Sequence, residues 1–204
     1  MSEEQRESMR QRITQAADEL FRTEGYSTIS MRRIASAVGC TPMTLYRYYG
    51  SKIDILRTLW GRVFEAIFSE IAEVTPTPAN AEHLTAISQA YVRYWIENPE
   101  HYRLVFMSEG VSQPDVSVFI GTTETLEHFR LFLVDLETAL GSDMSSGDLK
   151  QAFDLLLCLL HGVAHTRITM SGYPWSSPDQ IIENGVRALI KSGRDAQPDV
   201  QRAQ

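Results

Sequence analysis

The sequence predicts an all-α chain, on three observations. Apolar residues recur at i, i+3, i+4 and i+7 along most of the 204 residues, the period of a helix with one buried face. No stretch alternates apolar and polar residues convincingly, as a half-buried strand would. Ser, Thr or Asn precede many of the periodic runs and Gly follows several, the residues that close helix ends. With 43% apolar and 22% charged residues, the chain has the composition of a globular protein of one large or two small domains.

The first helix is marked by Ile13, Ala16, Ala17, Leu20 and Phe21, and Gly25 is placed to end it. In "ISMRRIASAVG" Ser30 is the N-cap, Ile29 can staple onto Ile34, and Ile34, Ala35 and Val38 face inward until Gly39 stops the run. The third helix follows the turn "GCT". Thr41 caps it, Pro42 suits its first position, Leu45 and Tyr49 share a face, and Gly50 ends it. Ser51 then caps a long fourth helix, residues 51–74, with Asp54 three positions on. Its stripe runs through Leu56, Leu59, Val63, Phe64, Ile67, Phe68 and Ile71 before "TPTP" at 75–78 breaks it.

Five further helices are expected. One spans about 80–97, and the next opens with Asn98 as cap, Pro99 at its first position, and Tyr102, Val105 and Phe106 packing inward. A single helix carries Phe119, Leu126, Phe129, Leu133, Leu136 and Leu140, followed by the loop "GSDMSSGD". The helix at 148–171 is apolar almost all round through "FDLLLCLLHGVA", which demands burial or an interface. The last, 178–192, presents Ile182, Val186, Leu189 and Ile190 and closes at Gly193, leaving 194–204 as a disordered polar tail. The domain division expected is 1–52, then 53–193, with the long fourth helix as the link.

Charge is divided unevenly. Residues 1–52 carry eight Lys/Arg and six Asp/Glu; residues 53–204 carry eleven and twenty, for a net −7. Between Gly25 and Lys52 there are four cations and no carboxylate. An acidic protein with a basic, hydroxyl-rich and tyrosine-rich head has one surface suited to phosphates, although charge alone is equally compatible with a solvated face. Two capped short helices around "GCT" form a helix-turn-helix, whose second helix enters the major groove. If Leu45 and Tyr49 point inward, then Pro42, Met43, Thr44, Tyr46, Arg47 and Tyr48 point outward. Tyrosine hydroxyls reach phosphate oxygens, and the methyl groups of Thr and Met touch thymine methyls. Lys52 and the N–H groups opening the fourth helix suit a further phosphate, and Arg32 a base edge or the backbone. The bland alternative is a helical hairpin whose tyrosines pack on its neighbours.

Residues 9–56 resemble the N-terminal DNA-binding domain of the TetR (tetracycline-repressor-type) family, through "GY", "S-x-R-x-IA", "VG", "TLYRYY" and "SK". The resemblance implies that Arg32, Thr44, Tyr46, Tyr48 and Lys52 meet DNA and that Pro42, Met43 and Arg47 help to choose the operator, with Ser30 beside them. Met43 and Pro42 depart from the small and polar residues common at those positions in the family. The remainder resembles the family's C-terminal domain more loosely, through "ENPEHYRLVF" and "LLHGVA". It implies a homodimer through helices at about 148–171 and 178–192, a double-stranded palindromic operator, and a small apolar or aromatic effector that relieves repression.

Tyr91, Trp95, Tyr102, Phe106 and Phe129 are candidates for the wall of an effector cavity, with Cys158, His161 and His165 lining or flooring it; each aromatic residue reads equally as core. His161 and His165 have the i, i+4 spacing of a metal pair, but no third ligand is nearby in sequence, and no metal or cofactor is expected. No nucleophile elbow, P-loop, dinucleotide fingerprint or zinc-protease helix occurs, so no enzyme is expected. Two distant cysteines argue against a disulfide framework and for the cytoplasm. No apolar run is long enough to span a bilayer, and residues 1–12 have no signal-peptide core. Two other classes stay open: a constitutive DNA-binding or architectural protein without effector, and a helical enzyme or lipid-binding module that reuses the head for dimer contacts.

Overall fold

A computed structural model describes residues 2–74, 78–141 and 144–195. Among these residues there are ten helices: α1 (Glu3–Glu24), α2 (Met31–Val38), α3 (Pro42–Tyr46), α4 (Lys52–Ala72), α5 (Ala81–Glu97), α6 (Pro99–Phe106), α7 (Gln113–Ile120), α8 (Thr123–Leu140), α9 (Ser146–Thr169) and α10 (Pro178–Asp195). They fall into two compact units, residues 1–66 with 100–125, and residues 67–99 with 126–204. The first unit extends past the expected boundary at residue 52, taking in α4 as far as Ala66 together with α6 and α7.

In the first unit α1 packs on α2 and α2 on α3. Ile13, Ala17, Leu20 and Phe21 of α1, Ile34, Ala35 and Val38 of α2 and Leu45 of α3 are all buried, as their spacing predicts. Ser30 accepts a hydrogen bond from the Arg33 N–H at 3.2 Å, and Gly39, at φ 77° and ψ 34°, supplies the left-handed residue that ends α2. Arg12 of α1 donates to the Val38 carbonyl at 2.8 Å, satisfying one of the orphan acceptors at the end of α2. Around the first half of α4, the Trp60 indole donates to Leu104 O at 3.0 Å and its ring meets Phe119 edge-on at 5.2 Å. Arg57 reaches Asp115 at 2.8 Å, so α6 and α7 are held by polar as well as apolar contacts.

In the second unit α5, α9 and α10 pack on one another. Ile182, Val186, Leu189 and Ile190 of α10 are buried, as are Leu84, Ile87, Tyr91 and Trp95 of α5. The buried Asp135 of α8 accepts from the Asn80 N–H at 3.1 Å and lies 2.7 Å from His83 Nδ1, which ties α8 to the start of α5. Phe68, at the end of α4, stacks on His128 at 4.6 Å and meets Phe129 edge-on at 5.3 Å.

Several boundaries differ from those the sequence suggests. The helix expected to run from Phe119 to Leu140 is two helices, because Gly121 ends α7 and Thr122 accepts from the Thr125 N–H, as a cap does. Asn98 does not cap α6; its amide donates to Tyr94 O at 2.9 Å and closes α5. Gly193 does not stop the last helix, which continues to Asp195. A Cβ there would lie 2.5 Å from a Leu140 methyl, so this glycine serves close approach of α10 to α8. The break at 75–77, positions 142 and 143 of the loop before α9, and the tail at 196–204 lie outside the described residues.

The buried polar groups of the second unit set its response to mutation and to acid. Asp135→Ala leaves the Asn80 N–H and His83 without their acceptor, and is expected to cost about 2 kcal/mol in urea unfolding. Burial lowers the pKa of His161 from 6.5 to about 4. The unfolded chain therefore takes up this proton first, and the stability carried by neutral His161 is complete above pH 6.5 and lost as pH falls towards 4. The loss is on the order of 3 kcal/mol, and His161→Gln is expected to flatten that part of a stability-against-pH curve.

Candidate nucleic-acid interface

The third helix is shorter than its pattern suggests. It spans only Pro42–Tyr46, and the chain then tightens, with Arg47 N–H bonding to Thr44 O at 3.2 Å and Tyr48 N–H to Leu45 O at 2.9 Å. A further bond from Tyr49 N–H to Leu45 O, at 3.1 Å, keeps Tyr49 on the inner side. Thr41 Oγ1 accepts from Thr44 N–H at 3.1 Å and lies 2.9 Å from the Thr44 hydroxyl, so both threonines are used in starting the helix.

The predicted division of faces is present. Leu45 and Tyr49 are buried, whereas Met43 is 79% and Tyr46 54% exposed. Pro42 and Arg47 are exposed and Thr44 and Tyr48 are half-buried. Arg32 and Ser30 are exposed on the adjacent α2 end, and Arg32 and Arg47 carry no ion pair among the described residues. Arg33 is committed elsewhere, to Glu24 at 2.8 Å. Arg10, which the sequence pattern does not single out, lies 5.3 Å over the Tyr49 ring and braces its inner position.

Lys52 is placed differently from the expectation of a phosphate ligand. Its ammonium donates to Tyr26 O at 2.6 Å and Ile29 O at 2.8 Å and sits 4.0 Å above the Tyr26 ring. Burial lowers its pKa and raises that of Tyr26, where the Asp115 charge adds to the effect. The start of α4 is closed separately, by Ser51 accepting from Asp54 N–H at 3.3 Å.

The residues suggested for an effector cavity are divided between the two units. Tyr91, Trp95, Phe129 and His161 belong to the second unit, with the Tyr91 hydroxyl 3.0 Å from His161 Nε2 and the Tyr91 ring 5.9 Å from Trp95. Tyr102 and Phe106 belong to the first, their rings 4.9 Å apart. Cys158 and His165 are exposed on α9 and so do not line a buried cavity with His161. Two cavities of about 360 Å³ each flank α6 within the first unit, one beside Gln11, Thr14 and Arg62, the other beside Phe21, Tyr26 and Arg103. None of the eight suggested residues lines either cavity.

Residues 13–59 match the family model described as bacterial regulatory proteins, tetR family, and residues 84–189 that described as tetracyclin repressor-like, C-terminal domain. The chain is 26% identical over 113 residues to the HTH-type transcriptional activator FasR of Mycolicibacterium smegmatis, covering 55% of this chain and 52% of that protein. It is 41% identical over 66 residues to the HTH-type transcriptional repressor KstR of the same organism, covering 32% of each. The match therefore spans about half the length of FasR and a third of KstR. The TetR family transcriptional regulator PfmR of Thermus thermophilus shares the fold, with a TM-score of 0.59 at 18% identity, covering 88% of this chain and 97% of that one. The second domain match alone takes in half the chain, and with the helix-turn-helix match before it the protein belongs to the tetR family of bacterial regulatory proteins.

Proposed function

We propose that the chain is a cytoplasmic, ligand-responsive repressor that binds a palindromic operator as a homodimer. One observation carries the DNA-reading part: a five-residue helix fixed from inside by buried Leu45 presents an exposed Met and Tyr on its other edge. In this reading Pro42, Met43 and Arg47 take the base edges, and Ser30, Arg32, Thr44, Tyr46 and Tyr48 the phosphates that flank the groove. Exposed tyrosine and methionine surfaces gain burial against duplex that the protein itself does not give them.

Dimerisation through α9 and α10 is supported by the apolar surface α9 leaves open. Leu155 is 58% exposed and Cys158 is exposed on a helix whose opposite side packs on α5 and α10. Two such chains related by a twofold axis present their reading helices at about 34–36 Å, or a multiple of it, to successive major grooves. The effector reading is supported by the polar pair Tyr91–His161 inside the aromatic cluster of Phe68, Trp95, Phe129 and Phe132. Phe68 belongs to α4, so an apolar or aromatic compound that repacks this cluster acts on α4 directly. It releases the operator to the extent that it binds the released conformation better.

Selection of bound duplexes from a random pool is expected to yield an inverted repeat, and a pool without symmetry would remove the dimeric reading. Tyr46→Ala is expected to weaken binding to the selected duplex by about tenfold with the oligomeric state unchanged, measured by fluorescence anisotropy and light scattering. Aromatic compounds that raise the midpoint of thermal unfolding are expected to lower operator affinity as well.

A further inference from the structure

We infer that Lys52 is a positioning residue, a latch that fixes the loop before α2 to the start of α4, rather than a ligand of the DNA backbone; this rests on the DNA-reading role proposed above. The ammonium has three donors. Two are spent on the carbonyls of Tyr26 and Ile29, at 2.6 and 2.8 Å, and the ring of Tyr26 covers it at 4.0 Å. Charge-assisted bonds to two carbonyls together with an aromatic face form a complete cation site made by the protein itself. A phosphate is left with only the third donor, unless it draws the ammonium away from both carbonyls.

The two acceptors lie in the loop leading to Ser30, the N-cap of α2, and Tyr26 is itself anchored by an edge contact with Phe21 of α1 at 5.2 Å. Lys52 is the first residue of α4. Both ends of the helix-turn-helix are thereby clamped, the entry to α2 and the exit from α3, across 23 and 26 positions of sequence. With the latch closed, a displacement of the start of α4 carries the loop before α2 with it. The reading element then moves as a body instead of deforming.

The two roles differ in their response to salt. A phosphate contact contributes about one unit to the slope of log affinity against log salt, and a latch contributes none. Lys52→Met is expected to lower operator affinity by about tenfold, with the salt slope unchanged and the thermal midpoint reduced. Lys52→Arg, which can still donate to two carbonyls, is expected to recover part of both losses. Tyr26→Leu, which leaves the ammonium but removes the ring beneath it, is expected to weaken operator binding with the same unchanged slope. A slope reduced by about one in Lys52→Met, with the thermal midpoint of wild type, would assign Lys52 to phosphate and overturn the latch. So would Tyr26→Leu binding as tightly as wild type, an arm that holds even if Lys52→Met fails to fold. If the wild-type chain binds no duplex, the DNA-reading proposal fails while the thermal comparison of Lys52→Met with Lys52→Arg still decides the latch.

Discussion

The reading element is too short to stand by itself. Five helical residues are well under the length at which an isolated helix is stable in water, because the cost of nucleation is spread over almost no further hydrogen bonds. Its direction is therefore imposed by what holds its inner edge: Leu45, fully buried where α3 packs on α2, and Tyr49, buried with Arg10 above its ring. Every exposed residue of α3 inherits its aim from those two. Arg12 on the end of α2, Gly39 in its left-handed turn and the Thr41 cap fix the remaining freedom. The exposed face of the helix-turn-helix, which the proposed function sets against a groove, is built on a core of a few side chains, and rigidity comes from caps and cross-links more than from helix length.

The second unit handles polar groups in the opposite way, by burying them in pairs. Asp135 is fully buried but has an N–H and an imidazole on its two oxygens, so its desolvation is compensated. His161 is held in its neutral form by burial and meets the Tyr91 hydroxyl. A neutral imidazole beside a phenol among aromatic rings offers hydrogen bonding without charge. If the effector proposed above binds here, that chemistry suits an uncharged compound and disfavours an ionic one, which would meet no counter-charge in the Tyr91–His161 pair.

Much of the fold is legible in the sequence because helix caps are local. Ser30, Thr41 and Ser51 each bond the N–H three residues on, which sequence spacing alone anticipates. The apolar stripes of α4 and α10 are equally plain, since each is set by one period over many residues. What escapes is decided by distant partners. Gly193 reads as a stop until Leu140 is seen beside it, and Asn98 serves the helix behind it rather than the one ahead. Lys52 reads as available because its acceptors are carbonyls, which every residue has and no sequence pattern marks. Cys158 and His165 group with His161 by proximity along an apolar helix, but only one side of that helix is covered in the chain.

The charge balance gains a sharper meaning once the side chains are placed. Of the four cations between Gly25 and Lys52, Arg33 is neutralised by Glu24 and Lys52 is turned onto carbonyls. Arg32 and Arg47 remain as the exposed cations of the reading surface, within a chain of net −7. Sequence-independent attraction to a polyanion rises with the number of phosphates neutralised, so a surface with few cations has a weak hold on arbitrary duplex. In the proposed reading, discrimination must then come from short-range fit at the base edges, and the exposed Met43 is the group there with apolar surface to supply it. A regulator built this way gives up little of its affinity to the vast excess of nonspecific sites, because the term that binds it to all of them is small.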